Sequence, residues 1–142
     1  MQHLGEAYTP REMARRVVDI GVAKAKLSIP DSLALALLAG AFIGLGAAFA
    51  TVAMTEANLG FGPTRLVGGV AFSLGLILVV VAGAELFTGN ALMVMAAVDR
   101  RITVGALLQN WGIVYAGNLI GAVGLAVAFG MSGLLDGPMG EM

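Results

Sequence analysis

Val81-Ala82-Gly83-Ala84-Glu85-Leu86-Phe87-Thr88-Gly89-Asn90 lies inside an apolar run from Leu66 to Val98 in which Glu85 is the one charged residue. A helix rises about 1.5 Å per residue, so one straight helix over that run would reach roughly 50 Å. The hydrocarbon core of a bilayer is only about 30 Å thick. The run must tilt steeply or break, and Gly83 and Gly89 mark the place. They bracket a carboxylate and a hydroxyl, with the Asn90 amide just beyond. Irregular backbone at membrane depth survives only where it is buried in protein or lines a watery cavity. A charged break therefore points to a pathway for solutes. The plainer reading is a kinked packing helix with Glu85 paired to a neighbour.

Composition sets the class. The chain is 58% hydrophobic and 12% charged, with a mean hydropathy of +0.91. A soluble domain carries about 25% charged residues. These values describe an all-α integral membrane protein of one domain. The absence of cysteine excludes disulfides and thiolate metal sites. The start is polar through Lys26, so a cleavable signal peptide is not expected.

The order of segments follows. Residues 1–8 read as an unstructured start. Thr9, Pro10 and Glu12 then combine an N-cap, a first-turn proline and a capping-box acid. In the helix they open, Met13, Val17, Ile20 and Ala23 or Lys24 recur at helical spacing. Charges fall mostly elsewhere, as in an amphipathic helix lying at a membrane surface. Ser28-Ile29-Pro30-Asp31 reads as a break, with Asp31 or Ser32 capping what comes next. The expected division is an N-terminal helical region over 1–31, a three-span membrane half-domain over 32–131 with its second span broken near 83–90, and a tail over 132–142. In the first span Gly40 and Gly44 stand at the spacing that lets helix backbones approach closely. Glu56 to Arg65 is a polar loop punctuated by glycine and proline. The third span carries Gln109, Asn110 and Asn118.

Charge placement predicts orientation. Arg11, Arg15, Arg16, Lys24, Lys26, Arg100 and Arg101 fall on one side and Arg65 alone on the other. The positive-inside rule then makes the N-terminus cytoplasmic and, after three spans, the C-terminus external.

The chemistry concentrates at the break. A second half-helix starting near Thr88, its expected N-cap, would present free N–H groups that attract anions. Gly69, Phe72, Leu76 and Gly83 share a helical face; Phe72 and Leu76 are either core filler or an apolar constriction of a pore. Leu86 and Phe87, inside the break, are harder to read as packing. Glu85 requires donors, either backbone N–H groups or buried polar side chains. Asn110 and Asn118 are candidate partners through ordinary interhelical hydrogen bonds, the alternative being contact with a solute. Lys24 either snorkels or concentrates anions at a mouth. An enzyme fits poorly: His3 is the one histidine. No nucleophile–base pair or metal-ligand cluster stands out, and the glycine pattern follows no strand as a nucleotide fingerprint would. No metal, cofactor or nucleic acid is expected.

The stretch Ala82 to Asn90 resembles the hallmark of the formate/nitrite transporter family, small residues followed by an acid and Leu-Phe-Thr. The likeness extends to Leu66-Val67-Gly68-Gly69, Phe72-Ser73-Leu74-Gly75-Leu76, Arg101-Ile102-Thr103, Asn110-Trp111 and Tyr115 to Ala122. The resemblance implies a homopentamer in the inner membrane. Each protomer would have its own pore, built from two inverted three-helix repeats in an aquaporin-like arrangement. It also implies that Phe72, Leu76 and Leu86 form hydrophobic slits, that Phe87 and Thr88 belong to the narrowing loop, held in shape by Gly83, Glu85, Gly89 and Asn90, and that Lys24 is a vestibule lysine. The substrate class would be small monovalent anions such as formate or nitrite, and the other expected partners are lipid and further copies. The chain departs from the family in resembling only its first repeat; the second broken helix, with its pore histidine, has no counterpart here. A transport-incompetent membrane subunit or fragment that only packs with other copies or a second half is the alternative.

Overall fold

The computed structural model describes residues 8–133, and these are all helix and connecting turn. Helix α1 spans Pro10–Ala25. Its start follows from local chemistry: the Thr9 hydroxyl accepts the Glu12 N–H while the Glu12 carboxylate accepts the Thr9 N–H at 2.7 Å. The Thr9 backbone and hydroxyl donors hold the Glu12 carboxyl below its ordinary value. The expected region over residues 1–8 falls almost wholly outside the described residues, as does most of the tail.

Helix α2 spans Ile29–Met54, three residues earlier than expected. Pro30 does not break the chain, because a proline in the first helical turn has no N–H to lose and a favourable φ. Ser28, not Asp31 or Ser32, is the N-cap. Its hydroxyl accepts the Asp31 N–H at 3.2 Å and donates to the Asp31 carboxylate at 2.6 Å. Helix α3 spans Phe61–Ala82 and ends at Gly83, whose φ of 64° lies in the left-handed region that glycine enters without penalty. The N–H of Gly83 turns back to the Val80 carbonyl and that of Ala84 to Val79, the bond pattern of a Schellman stop.

The chain re-enters helix at Phe87. Helix α4, Phe87–Asn90, passes through a 3-10 turn at Ala91–Met93 into α5, Val94–Val98, which together make one short apolar half-helix. Helix α6 spans Val104–Met131 and is capped by the Thr103 hydroxyl accepting the Ala106 N–H. Helices α2, α3 and α6 are each long and apolar enough to cross a membrane.

Helix α2 is the shared partner of the other two spans, and small residues set both contacts. Toward α3, a Cβ on Gly46 would sit 2.8 Å from the Phe72 carbonyl, and one on Gly75 2.8 Å from the Phe42 carbonyl. Toward α6, Gly40 abuts the Asn118 carbonyl and Gly121 abuts the Leu37 carbonyl so closely that any side chain would force the helices apart. Gly44 meets the Leu125 side chain, so both glycines of the first-span motif face α6. Backbone approach of this kind replaces the hydrophobic drive that lipid cannot supply.

Helix α1 packs against α5 and the 3-10 turn through the face that carries Val18 and Gly21, and leaves the apolar stripe read from the sequence open. Val18 and Gly21 are buried, while Met13 and Ile20 are half exposed. Gly21 decides the rotation: its missing side chain admits Ala96 and Met93, whose atoms would stand 3.1 and 3.4 Å from an added Cβ. An Asp19–Arg101 ion pair ties α1 to the turn before α6.

Candidate functional site

Between the Schellman stop and Phe87 the backbone runs irregularly for a few residues, and its polar groups are met by the Asn118 side chain and the Leu35 carbonyl. Asn118, on α6, is the main clamp. Its Oδ1 accepts the Phe87 N–H at 2.9 Å, and its Nδ2 donates to the carbonyls of Glu85 at 2.9 Å and Ala36 at 2.8 Å. One amide thereby joins α2, the break and α6. The Glu85 N–H reaches the Leu35 carbonyl at 3.2 Å, which fixes the loop to α2 a second time.

The Glu85 side chain is buried, 3% exposed. Its Oε1 accepts from Lys24 Nζ at 2.5 Å and its Oε2 from Asn90 Nδ2 at 2.6 Å. Of the two donor types open to it in the sequence, buried side chains supply both. Asn90 Nδ2 also donates to Asn110 Oδ1 at 2.8 Å. Facing two acceptors, the Asn90 amide must turn its nitrogen toward them. This leaves Asn90 Oδ1 buried without a hydrogen-bond donor among the described residues. Lys24 reaches from the end of α1 to pair with Glu85, its side chain 23% exposed.

Leu86, not Thr88, occupies the N-cap position of α4, and its side chain makes no cap. The expected capping hydroxyl has nothing to cap, because the helix starts two residues earlier and the N–H groups of Asn90 and Ala91 already reach the carbonyls of Leu86 and Phe87. Thr88 lies in the first turn instead. There it lines an open cleft of about 270 Å³ together with Lys24, Leu76, Leu86, Gly89 and Asn90. Gly83, Ala84, Val79 and Val80 complete the wall. Seven of the residues singled out in the sequence thus meet around one cavity. N–H groups in a first helical turn have no intrahelical acceptor, which makes the Thr88–Gly89 end of the cleft its electropositive side. Leu76 and Leu86 supply the apolar side. Leu86 also packs against the small buried cluster of Ala39, Val79 and Ala84.

Two residues stand elsewhere. Phe72 is on the open face of α3, 42% exposed, one turn from Leu76 and outside the cleft wall. Phe87 turns away from the cleft and packs edge-on against Tyr115 and Trp111 of α6, with ring centroids 5.5 and 6.1 Å apart. Trp111, to which the sequence reading gave no role, donates its indole N–H to the Asn90 carbonyl at 2.9 Å. A lone tryptophan one residue after Asn110 in an apolar helix was the available signal, since a buried indole N–H must find an acceptor.

Three helices long and apolar enough to cross a membrane, one of them ending at a break that a buried carboxylate holds beside an open cleft, describe a polytopic membrane protein. The chain belongs to the formate/nitrite transporter family, whose model matches residues 11–142. It is 44% identical over 125 residues to the formate channel FocA of Escherichia coli strain K12, covering 87% of this chain and 44% of that protein. It is 45% identical over 123 residues to the uncharacterized transporter YrhG of Bacillus subtilis, covering 85% and 46%. The formate channel BtFdhC of Bacillus thuringiensis is 38% identical over 138 residues, covering 92% and 51%. The chain spans about half the length of the curated relatives it matches.

Proposed function

We propose that this chain forms the first half of a channel for small monovalent anions of the formate or nitrite type. The observation that carries the reading is the convergence of Lys24, Leu76, Leu86 and Thr88 on one cleft at the helix break. A bare anion loses its hydration at heavy cost in an apolar slit. The cleft offers partial compensation: a hydroxyl and first-turn N–H groups beside Thr88, with the Lys24 ammonium on the same wall. In this reading Leu76 and Leu86 form the apolar slit, Phe72 extends it along α3, and Phe87 holds Thr88 in place through its aromatic contacts. Glu85, Gly83, Gly89 and Asn90 keep the shape of the loop. Lys24 serves twice, as the partner of Glu85 and as the positive charge at the vestibule. Proton transfer within a completed pore would let the solute cross as its neutral acid.

The same reading places a second, inverted three-helix repeat against the open side of the cleft, an aquaporin-like pore in each protomer, and five protomers in the inner membrane with α1 on the cytoplasmic face. The Asp19–Arg101 pair supports that orientation by joining the two arginine-bearing stretches on one side. The exposure of Leu76 and Phe72 favours a second reading, a transport-incompetent subunit that only packs with other copies or a second half. Formate and nitrite flux into liposomes separates the two. The purified chain is tested alone and with the C-terminal half of a family member supplied. Flux that appears only with the added half supports the channel reading; no flux in either case, despite a stable complex, supports the packing subunit.

A further inference from the structure

A second and larger cleft, of about 440 Å³, lies between α1 and α5. We propose that it binds one phospholipid whose headgroup carries both a phosphate and a primary ammonium, a lipid of the phosphatidylethanolamine class. The inference depends on the chain being a membrane protein and not on what it conducts.

The wall of the cleft is apolar, including Val18 of α1 with Val94 and Val98 of α5, and its charged lining consists of Arg15, Asp99 and Arg101. Val98 is 78% exposed and Val94 42%. The volume is within the range that ligand sites occupy, about 300–1,000 Å³. Arg101 is already engaged by Asp19. Among the described residues, the side chains of Arg15 and Asp99 have neither ion-pair nor hydrogen-bond partner. The cleft therefore presents one uncommitted cation and one uncommitted anion over an apolar wall. Asp99 also caps the C-terminal end of α5, where the helix dipole disfavours a carboxylate and favours a cation beside it.

The position is that of an interface. The span α6 begins at Val104, a few residues beyond Arg101, so the cleft sits where a membrane-crossing helix ends and headgroups lie. A phosphate answers Arg15, a guanidinium being the side chain best shaped for phosphate oxygens. An ammonium with three donors answers Asp99. A headgroup with a phosphate and no cation would leave Asp99 facing negative charge, and a quaternary ammonium has no proton to donate to it. The lining thus complements a zwitterion with N–H donors better than either alternative.

Native mass spectrometry of the full chain in detergent, with equal amounts of palmitoyl-oleoyl phosphatidylethanolamine, phosphatidylcholine and phosphatidylglycerol, reads retention directly. One charged contact near the headgroups corresponds to about a five-fold preference. The ethanolamine lipid should be retained about five-fold over the choline lipid, with the N-methyl and N,N-dimethyl headgroups falling between. Asp99→Asn should erase that preference, and Arg15→Gln should lower retention of all three lipids. Arg100→Gly, outside the cleft wall at a residue with φ of 58°, should change neither. Equal retention of ethanolamine and choline lipids by the unaltered chain overturns the proposal. So does a dominant preference for phosphatidylglycerol, or an oligomer that retains no lipid because another copy covers the cleft. The methylation series needs no variant, so a failure of Asp99→Asn to fold leaves the test intact.

Discussion

The Lys24–Glu85 pair can be dissected by neutralising each partner and then both. Lys24→Met strands a carboxylate that is 4% exposed, whereas Glu85→Gln strands an ammonium that is 23% exposed and partly hydrated. Removing one member of a buried pair costs about 3–5 kcal/mol, because the other charge is left uncompensated. Lys24→Met should fall in that range. Glu85→Gln should cost less, about 2–3 kcal/mol on the same scale. Lys24 keeps some water, and the glutamine oxygen can still accept from Asn90. The double variant carries neither charge and should cost less than Lys24→Met alone, so the coupling between the sites is at least about 2–3 kcal/mol. Unfolding in mixed micelles with increasing sodium dodecyl sulfate, followed by circular dichroism, measures all four proteins. Additive single costs, within about 0.5 kcal/mol, would refute the pairing. A glutamine variant less stable than the methionine variant would refute the argument from exposure.

Asn90→Asp sets two carboxylates side by side where an amide now donates to Glu85 and Asn110; it should lower the unfolding midpoint sharply, while Asn90→Gln should be milder. Gly40→Ala and Gly121→Ala should each separate α2 from α6 and destabilise the chain by several kcal/mol, whereas Gly69→Ala, in open space, should be neutral or stabilising by about 0.5–1 kcal/mol. Both arms are read by the same micelle titration. Leu76→Ala with Leu86→Ala, in a context that supplies the second half, should raise formate flux in liposomes without loss of helix; unchanged flux with a collapsed assembly would assign the two leucines to packing. Cysteines at Arg11 and Asn58 should react with impermeant maleimide from opposite faces of the membrane, and labelling of both from one face would overturn the orientation.

Much of the architecture is visible in composition and spacing. The run from Leu66 to Val98 is too long for one span, and Gly83 stands where the helix stops because only glycine takes that φ cheaply. The Thr9 capping box is equally local: three adjacent residues carry all of its chemistry. What escapes the sequence is long-range satisfaction. Glu85 and Lys24 are 61 residues apart, and nothing in either neighbourhood names the other. Thr88 reads as an N-cap only until Asn118, 31 residues beyond Phe87, takes the Phe87 N–H and lets the helix start at Phe87, before Thr88. The rotation of α1 depends on Gly21 meeting Ala96, a contact that hydrophobic periodicity does not encode, so the Met13–Ile20 stripe points away from α5. Phe87 looks like a constriction beside Thr88, yet a helix turns neighbouring side chains about 100° apart. Its ring goes to Trp111 and Tyr115.

The Asn118 clamp also sets a clock during synthesis. When Phe87 leaves the ribosome, the amide that will accept its N–H is still 31 residues from emerging. At about 5–20 residues per second, the interval is roughly 2–6 s. Throughout it, α2 and α3 can already pair through Gly46 and Gly75, but the turn at Glu85 has no permanent partner from α6. Such a segment cannot be released into lipid with its backbone unmet. It must wait beside water or the insertion machinery until α6 arrives. A pause in translation between Asn90 and Asn118 would lengthen the exposure, and a faster one would shorten it. Synonymous slow codons over that stretch should then lower the yield of folded protein without changing the finished fold, and equal yields from fast and slow codons would refute the idea.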